Sequence, residues 1–129
     1  MTYQLIDYSQ SSPGSAIDIS SEEQLQTVLQ SFQQHEPGFI DLVSPSADTL
    51  SLGVGGPLAC AMFIGASGDP PYLWALGSSP EDTDIEFARG GTPTPVPLNR
   101  CLPFANVVEI AAAFFRDGKL PDNIDWDED

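Results

Sequence analysis

Three features of this sequence predict an α+β domain, an antiparallel meander of about five to six strands with an N-terminal and a C-terminal amphipathic helix packed on it. Apolar residues recur at helical spacing in two places, Leu25 to Phe32 and Phe104 to Phe115. Between them, from Phe39 to Gly91, the period shortens and Gly and Pro punctuate runs of β-formers. The length, 129 residues, suits a single domain spanning residues 1–129 with a core of its own, whereas two domains of half that size would each be marginal.

The first seven residues have the composition of a short strand, and SQSSPGS after them reads as a turn or loop. Ser20 and Glu23 stand at capping-box spacing, and Leu25, Val28, Leu29 and Phe32 follow at i, i+3, i+4 and i+7. Pro37-Gly38 ends that pattern, so the first helix is expected over residues 21–35. Five strands are then expected in GFIDLVS, DTLSLGV, PLACAMFIG, YLWALG and DIEFARG, joined by turn-like segments. In the second of these, Leu50, Leu52 and Val54 alternate with Thr49, Ser51 and Gly53, which buries one face. The third is apolar throughout and belongs at the centre of the sheet, covered on both sides. The fifth points Ile85 and Phe87 inward and Asp84 and Glu86 outward.

GGTPTPVPLNRCLP holds four prolines and is expected to be an extended connection, since each Pro removes a ladder donor. The second helix is entered through Pro103. Phe104, Val107, Val108, Ala111 and Phe115 share a face with Ile110 and Phe114 beside it, and this helix is the more buried of the two. Gly118 closes it, with Arg116 in the last turn where a cation meets the negative end of the helix dipole. The ending, FFRDGKLPDNIDWDED, reads as a clasp: Pro121 holds the chain extended, Ile124 and Trp126 pack back on the domain, and only the final DED is loose.

Charge narrows the function classes. Four Lys and Arg against 19 Asp and Glu give a net charge of −15, which repels nucleic acid and favours a basic partner. With 41% hydrophobic and 18% charged residues the chain has the composition of a folded protein. The N-terminus lacks the basic and apolar regions of a secretory signal, and no apolar run approaches a membrane span, so a cytoplasmic location without membrane contact is expected. Two cysteines, Cys60 and Cys101, are too few for a disulfide framework and are expected to be buried free thiols, although a pairing between them is conceivable.

No catalytic constellation stands out. The single histidine, His35, lies at the expected end of the first helix without a nucleophile motif aimed at it. GVGG at residues 53–56 precedes a strand rather than a helix, so it reads as a hairpin turn and not as a phosphate loop. PEDTDIE clusters Glu81, Asp82, Asp84 and Glu86 but lacks the Gly-centred loop of a calcium hand. A solvated hairpin edge or a docking patch for a basic partner fits it better than a metal site. No cofactor and no metal are expected.

From YLWALG through DIEFARGG, the Pro-containing extension, the helix entered at Pro103 and the ending AAFFRDGKLPDNIDW, the chain resembles the type-1 immunity proteins of bacterial polymorphic-toxin systems. The positions that carry the resemblance are Phe114, Phe115, Gly118, Lys119, Pro121, Ile124 and Trp126, and it covers residues 48–126. It implies an α+β immunity protein that is not an enzyme and neutralises a cognate toxin stoichiometrically by masking its active site. That toxin is expected to act on nucleic acid, with zinc-dependent deaminases frequent among such partners. The residues expected to meet it are Asp69, Tyr72, Trp74, Glu81, Asp82, Asp84 and Glu86, with burial in the sheet core as the competing role for the two aromatics. A monomer or weak dimer is expected when free. An acidic scaffolding subunit and a small metal-dependent hydrolase are the competing functions.

Overall fold

Strands whose side chains are apolar on both faces need a layer on each side, and the fold meets that need with two helices on one face and a two-stranded ribbon on the other. The computed structural model describes residues 3–7, 16–34, 36–69, 72–77, 83–89 and 92–128. The elements are β1 (Tyr3–Asp7), β2 (Ala16–Ile19), α1 (Glu22–Phe32), β3 (Gly38–Val43), β4 (Thr49–Val54), β5 (Leu58–Ile64), β6 (Leu73–Ala75), β7 (Asp84–Arg89), β8 (Thr92–Pro97), β9 (Leu102–Pro103), α2 (Phe104–Asp117) and β10 (Trp126–Glu128). The main sheet has the order β10-β6-β5-β4-β3-β1-β2, with β7 and β8 off this path.

The expected meander holds from β3 to β6, each strand antiparallel to the next. It breaks at β7, which pairs with β8 and joins the β3 backbone through a parallel bridge from Ala88 to Gly38. The outer edge of β6 is instead taken by β10. The α+β class is as expected and the strand count is higher, because β2, β9 and β10 are short and carry weak patterns. The proline-rich connection is also a strand: β8 takes prolines because it lies at an edge, where a missing N–H costs no ladder bond.

Alternation sorts the core into two clusters. Ile40, Leu42, Leu50, Leu52, Val54, Ala59 and Ala61 face the helices and pack with Leu25, Leu29, Val107, Ile110 and Phe114. Phe39, Cys60 and Trp74 face the other way and pack with Phe87, Val96 and Cys101. Central β5 therefore buries both faces, as its apolar run predicts, each large side chain contributing roughly 1.5–3 kcal/mol.

Two helix details differ from expectation. The cap of α1 is Ser21, one residue later than expected: its hydroxyl accepts the Gln24 N–H at 3.0 Å, while the Gln24 side chain accepts from the Ser20 N–H at 2.8 Å. That register turns Leu25, Leu29 and Phe32 inward. In α2 the buried stripe runs through Val107, Ile110, Ala111 and Phe114, so Phe114 lies at its centre and Phe115 at its margin. Phe115 is left to cover Tyr3, at 4.9 Å between ring centroids.

Gly118, at φ 68°, takes the left-handed turn that ends α2. The Phe114 carbonyl accepts both the Gly118 N–H at 2.8 Å and the Tyr3 hydroxyl at 2.9 Å, joining the first strand to the last helix. Burial pushes the Tyr3 hydroxyl pKa up, with Asp48 and Asp117 adding to the effect, so it stays a donor. Leu120, Ile124 and Trp126 then pack on the helix-side core, and the Trp126 indole N–H reaches the Pro121 carbonyl at 3.4 Å. The expectation that DED is loose is corrected for Asp127 and Glu128: they pair with Trp74 and Leu73, because β6 offers them a free edge.

Ending the chain after Asn123 should therefore lower stability by about 3–5 kcal/mol, the usual cost of losing large buried side chains. Removing residues 127–129 should cost about 1 kcal/mol, the scale of a short edge pairing and a half-exposed ion pair. Urea midpoints of the two truncations against the full chain measure both, and equal midpoints would show that the clasp is not structural.

Candidate docking surface

The sequence of β8, Thr-Pro-Thr-Pro-Val-Pro, sets the geometry of the ribbon. Pro97, Pro95 and Pro93 stand opposite Asp84, Glu86 and Ala88. A proline has no N–H to exchange, so these are the non-hydrogen-bonded pairs, and Ile85↔Val96, Phe87↔Thr94 and Arg89↔Thr92 carry the ladder. The Ala88 N–H accordingly points away from β8 and reaches the Pro37 carbonyl at 2.9 Å. Two consequences follow. The outward face carries exposed Asp84 and Glu86 alternating across from exposed prolines, and the free edge of β8 presents carbonyls at Pro93 and Pro95 with no N–H beside them.

The inward face is tied down at both ends. Arg89 forms an ion pair with Asp41 at 3.1 Å, bonds the Ser51 hydroxyl at 3.2 Å, and covers the Phe39 ring at 5.5 Å. Asp41 and Ser51 are both buried, and the Ser51 hydroxyl donates to Asp41 at 2.7 Å. At the other end, Arg100 covers the Trp74 ring at 5.3 Å and pairs with Asp127 at 3.0 Å.

Of the residues expected to meet a partner, Asp84 and Glu86 share the outward face of the ribbon and are exposed. Asp69 is exposed after the turn that follows β5, and Tyr72 is half-buried and donates its hydroxyl to the Gly68 carbonyl at 2.9 Å. Trp74 takes the sheet-core role, only 9% exposed, with no hydrogen-bond partner for its indole N–H. Glu81, Asp82 and His35 lie outside the described residues. The clamp of Asp41, Ser51 and Arg89 was not anticipated from the sequence, where 48 positions separate Asp41 from Arg89. Prolines at every second position of 93–97 were the available signal for an edge strand.

On the opposite face of the sheet, a cleft of about 330 Å³ opens between α1, α2 and the clasp. Gln26, Asn106, Glu109, Ala113 and Ile124 are among its lining, and Arg116 bridges it to Glu22 at 3.0 Å. All three arginines of the chain are thus paired internally, while many carboxylates stay exposed.

Among the described residues, no three His, Cys, Asp or Glu side chains converge as a metal site requires. Cys60 and Cys101 are free and buried, as expected, and both belong to the ribbon-side core. Burial pushes the Cys60 thiol far above its ordinary range, and burial and then Asp84 push Cys101 up to about 11. Thiolate chemistry at neutral pH is therefore disfavoured at both. Because the folded values lie above the ordinary 9.0, both states are protonated below pH 9 and the contribution to stability is complete there. Above it the unfolded chain ionises first, so stability should fall as pH rises from 9 toward 11. Urea midpoints measured across that range should drop, the drop should shrink in Cys60→Ala, and the disulfide reagent dithiobis(nitrobenzoate) at pH 8 should label neither thiol until the chain unfolds.

No helix among the described residues is long and apolar enough to cross a membrane. A search of curated proteins finds no match to the chain. The model of the family described as "Immunity protein Imm1" matches residues 14–128, taking in both helices, the ribbon and the clasp. Nearly the whole fold described above is therefore the family's own domain, and the chain belongs to the Imm1 family of immunity proteins.

Proposed function

We propose that this protein neutralises a cognate bacterial toxin in the cytoplasm by binding it one to one and covering its active site, without catalysing a reaction. Family membership supports the immunity role. The observation that carries the choice of partner is the charge: −15 overall, with every arginine engaged inside the fold. A toxin that works on nucleic acid presents a basic groove to its substrate, and an acidic protein competes for that groove as a polyanion. A deaminase is the toxin chemistry that the family resemblance favours. The same charge opposes self-association, which supports a monomer in the free state.

Exposed carboxylates at a rim add roughly 0–1 kcal/mol each to affinity. Their larger effect is on encounter, where steering raises association toward about 10⁸ M⁻¹s⁻¹ at low salt. The ribbon residues Asp84 and Glu86, with Glu81, Asp82 and Asp69, are the acids proposed for this role, and Tyr72 is proposed as a contact.

Co-expression with the toxin encoded by the neighbouring gene should rescue growth, and the two proteins should run as a one-to-one complex on gel filtration. Failure of both with the correct neighbour overturns the proposal. Changing Glu81, Asp82, Asp84 and Glu86 to Lys should slow association several-fold and flatten its dependence on salt, with the circular dichroism spectrum retained. An unchanged on-rate and salt slope would remove the ribbon from the docking face.

A further inference from the structure

The outer face of the β7–β8 ribbon repeats one pattern twice. Asp84 stands opposite Pro97 and Glu86 opposite Pro95, and all four residues are exposed. Because a proline has no N–H to exchange, both are non-hydrogen-bonded pairs, the kind in which facing Cα atoms approach to about 4.5 Å and side chains lie closest. Each carboxylate thus has a pyrrolidine ring beside it. The two pairs are two residues apart along β7, a step of about 6.8 Å.

The other face of the ribbon holds this pattern in place. Phe87 and Val96 point the opposite way and are almost wholly buried in the ribbon-side core. Among the described residues no ion pair includes Asp84 or Glu86, whereas Arg89, Arg100 and Arg116 pair with Asp41, Asp127 and Glu22. The outer face keeps its negative charge for a partner.

The composition of each pair selects what it can hold. A carboxylate beside an apolar ring suits a cation that is itself partly apolar. Arginine meets both halves: its stem and its planar, weakly hydrated guanidinium lie along the ring, while two parallel N–H groups reach the carboxylate. Lysine brings a compact, strongly hydrated charge and gains less from the ring. A partner strand cannot extend the ladder at β8, since Pro93, Pro95 and Pro97 supply no N–H for it. Contact is made face-on, through side chains.

We infer that the outer face of the ribbon seats two arginine side chains of the toxin about 7 Å apart, one at Glu86 and Pro95 and the other at Asp84 and Pro97. The inference rests on the immunity reading above and adds a contact to it: these acids hold the partner as well as steer it. A partner with such arginines complements the net charge of −15. The cleft between α1 and α2, on the opposite face of the sheet, is the alternative seat.

Surface plasmon resonance with the neighbouring toxin domain separates holding from steering, because a charge at the rim acts on the on-rate and a close contact on the off-rate. Pro95→Ala with Pro97→Ala leaves the charge untouched and should raise the off-rate roughly fivefold or more, the scale of a contact residue. Asp84→Asn with Glu86→Gln should raise the off-rate as well as slow association. Ala113→Arg in the cleft should change Kd by less than about twofold, the scale of a surface site outside an interface. Unchanged off-rates in both ribbon variants, or a loss of binding in Ala113→Arg alone, overturn the inference. Tighter binding by the proline variant would indicate strand addition at its new N–H groups and overturn it as well.

A second arm uses the wild-type protein and so does not depend on any variant folding. Acetyl-Arg-Ala-Arg-amide, followed by amide NMR, should shift the signals of Asp84, Ile85 and Glu86 in a saturable way, and the lysine analogue should do so with several-fold lower affinity. Equal affinity for the two peptides, or shifts confined to α2, overturn the inference. If the peptide selects the ribbon while the toxin domain fails to bind the wild-type protein, the immunity reading fails and the arginine seat stands. Toxin binding that none of the ribbon variants alters removes the seat and leaves the immunity reading intact.

Discussion

Everything on the ribbon side depends on one close approach, the aromatic ring of Phe87 lying on bare backbone at Gly53. A Cβ at this position would stand 2.6 Å from Cys60 Sγ and 2.9 Å from Phe87, too near for either neighbour to remain in place. Without that contact the ribbon could not sit low enough to bring Val96 and Ile85 onto Cys60 and Met62, and the second apolar face of β5 would be left to water. Gly77 plays the same part at the other end of the sheet, where its missing side chain makes room for the Cys101 carbonyl. The glycines are therefore packing residues, and the acidic surface is held in place by the core beneath it.

The arginines extend the same logic to charge. Arg89, Arg100 and Arg116 join segments 48, 27 and 94 residues apart in the chain. Their energetic weight differs. Arg116 and Glu22 are both well exposed and contribute little, whereas Arg89 neutralises an Asp41 carboxylate whose side chain is only 10% exposed. Losing Arg89 would leave that buried carboxylate without its counter-ion, a penalty larger than the bond itself is worth. The three arginines are thus engaged with carboxylates of the chain itself, and the surface that remains is predominantly acidic.

Much of this was legible in the sequence because it depends on local period. Helical spacing located both helices, alternation in DTLSLGV and DIEFARG assigned the faces of β4 and β7, and the unbroken apolar run of β5 placed it at the centre. What the sequence hid is what depends on distant partners. β2 and β10 are short strands whose existence rests on free edges elsewhere in the sheet, and the move of β7 off the meander depends on β10 having taken its place beside β6. The sequence of β8 reads as a connection because prolines forbid a central strand. The same prolines, all at alternate positions, are compatible with an edge whose donors would have pointed outward anyway. For the candidate site, the sequence supplied Asp84 and Glu86 as outward acids but could not supply the pairing with β8 that sets them opposite Pro97 and Pro95.

A free strand edge is ordinarily a hazard, since a second copy can pair with it. At β8 two devices act against that outcome. Prolines delete the donors that a neighbouring strand would need, and the net charge of −15 repels another copy at the distances where encounter begins. Neither device deters a cationic partner: the first leaves acceptors in place, and the second becomes attraction when the sign of the partner changes. Protection from self-pairing and selection of a basic partner are then the same physical arrangement seen from two approaching surfaces.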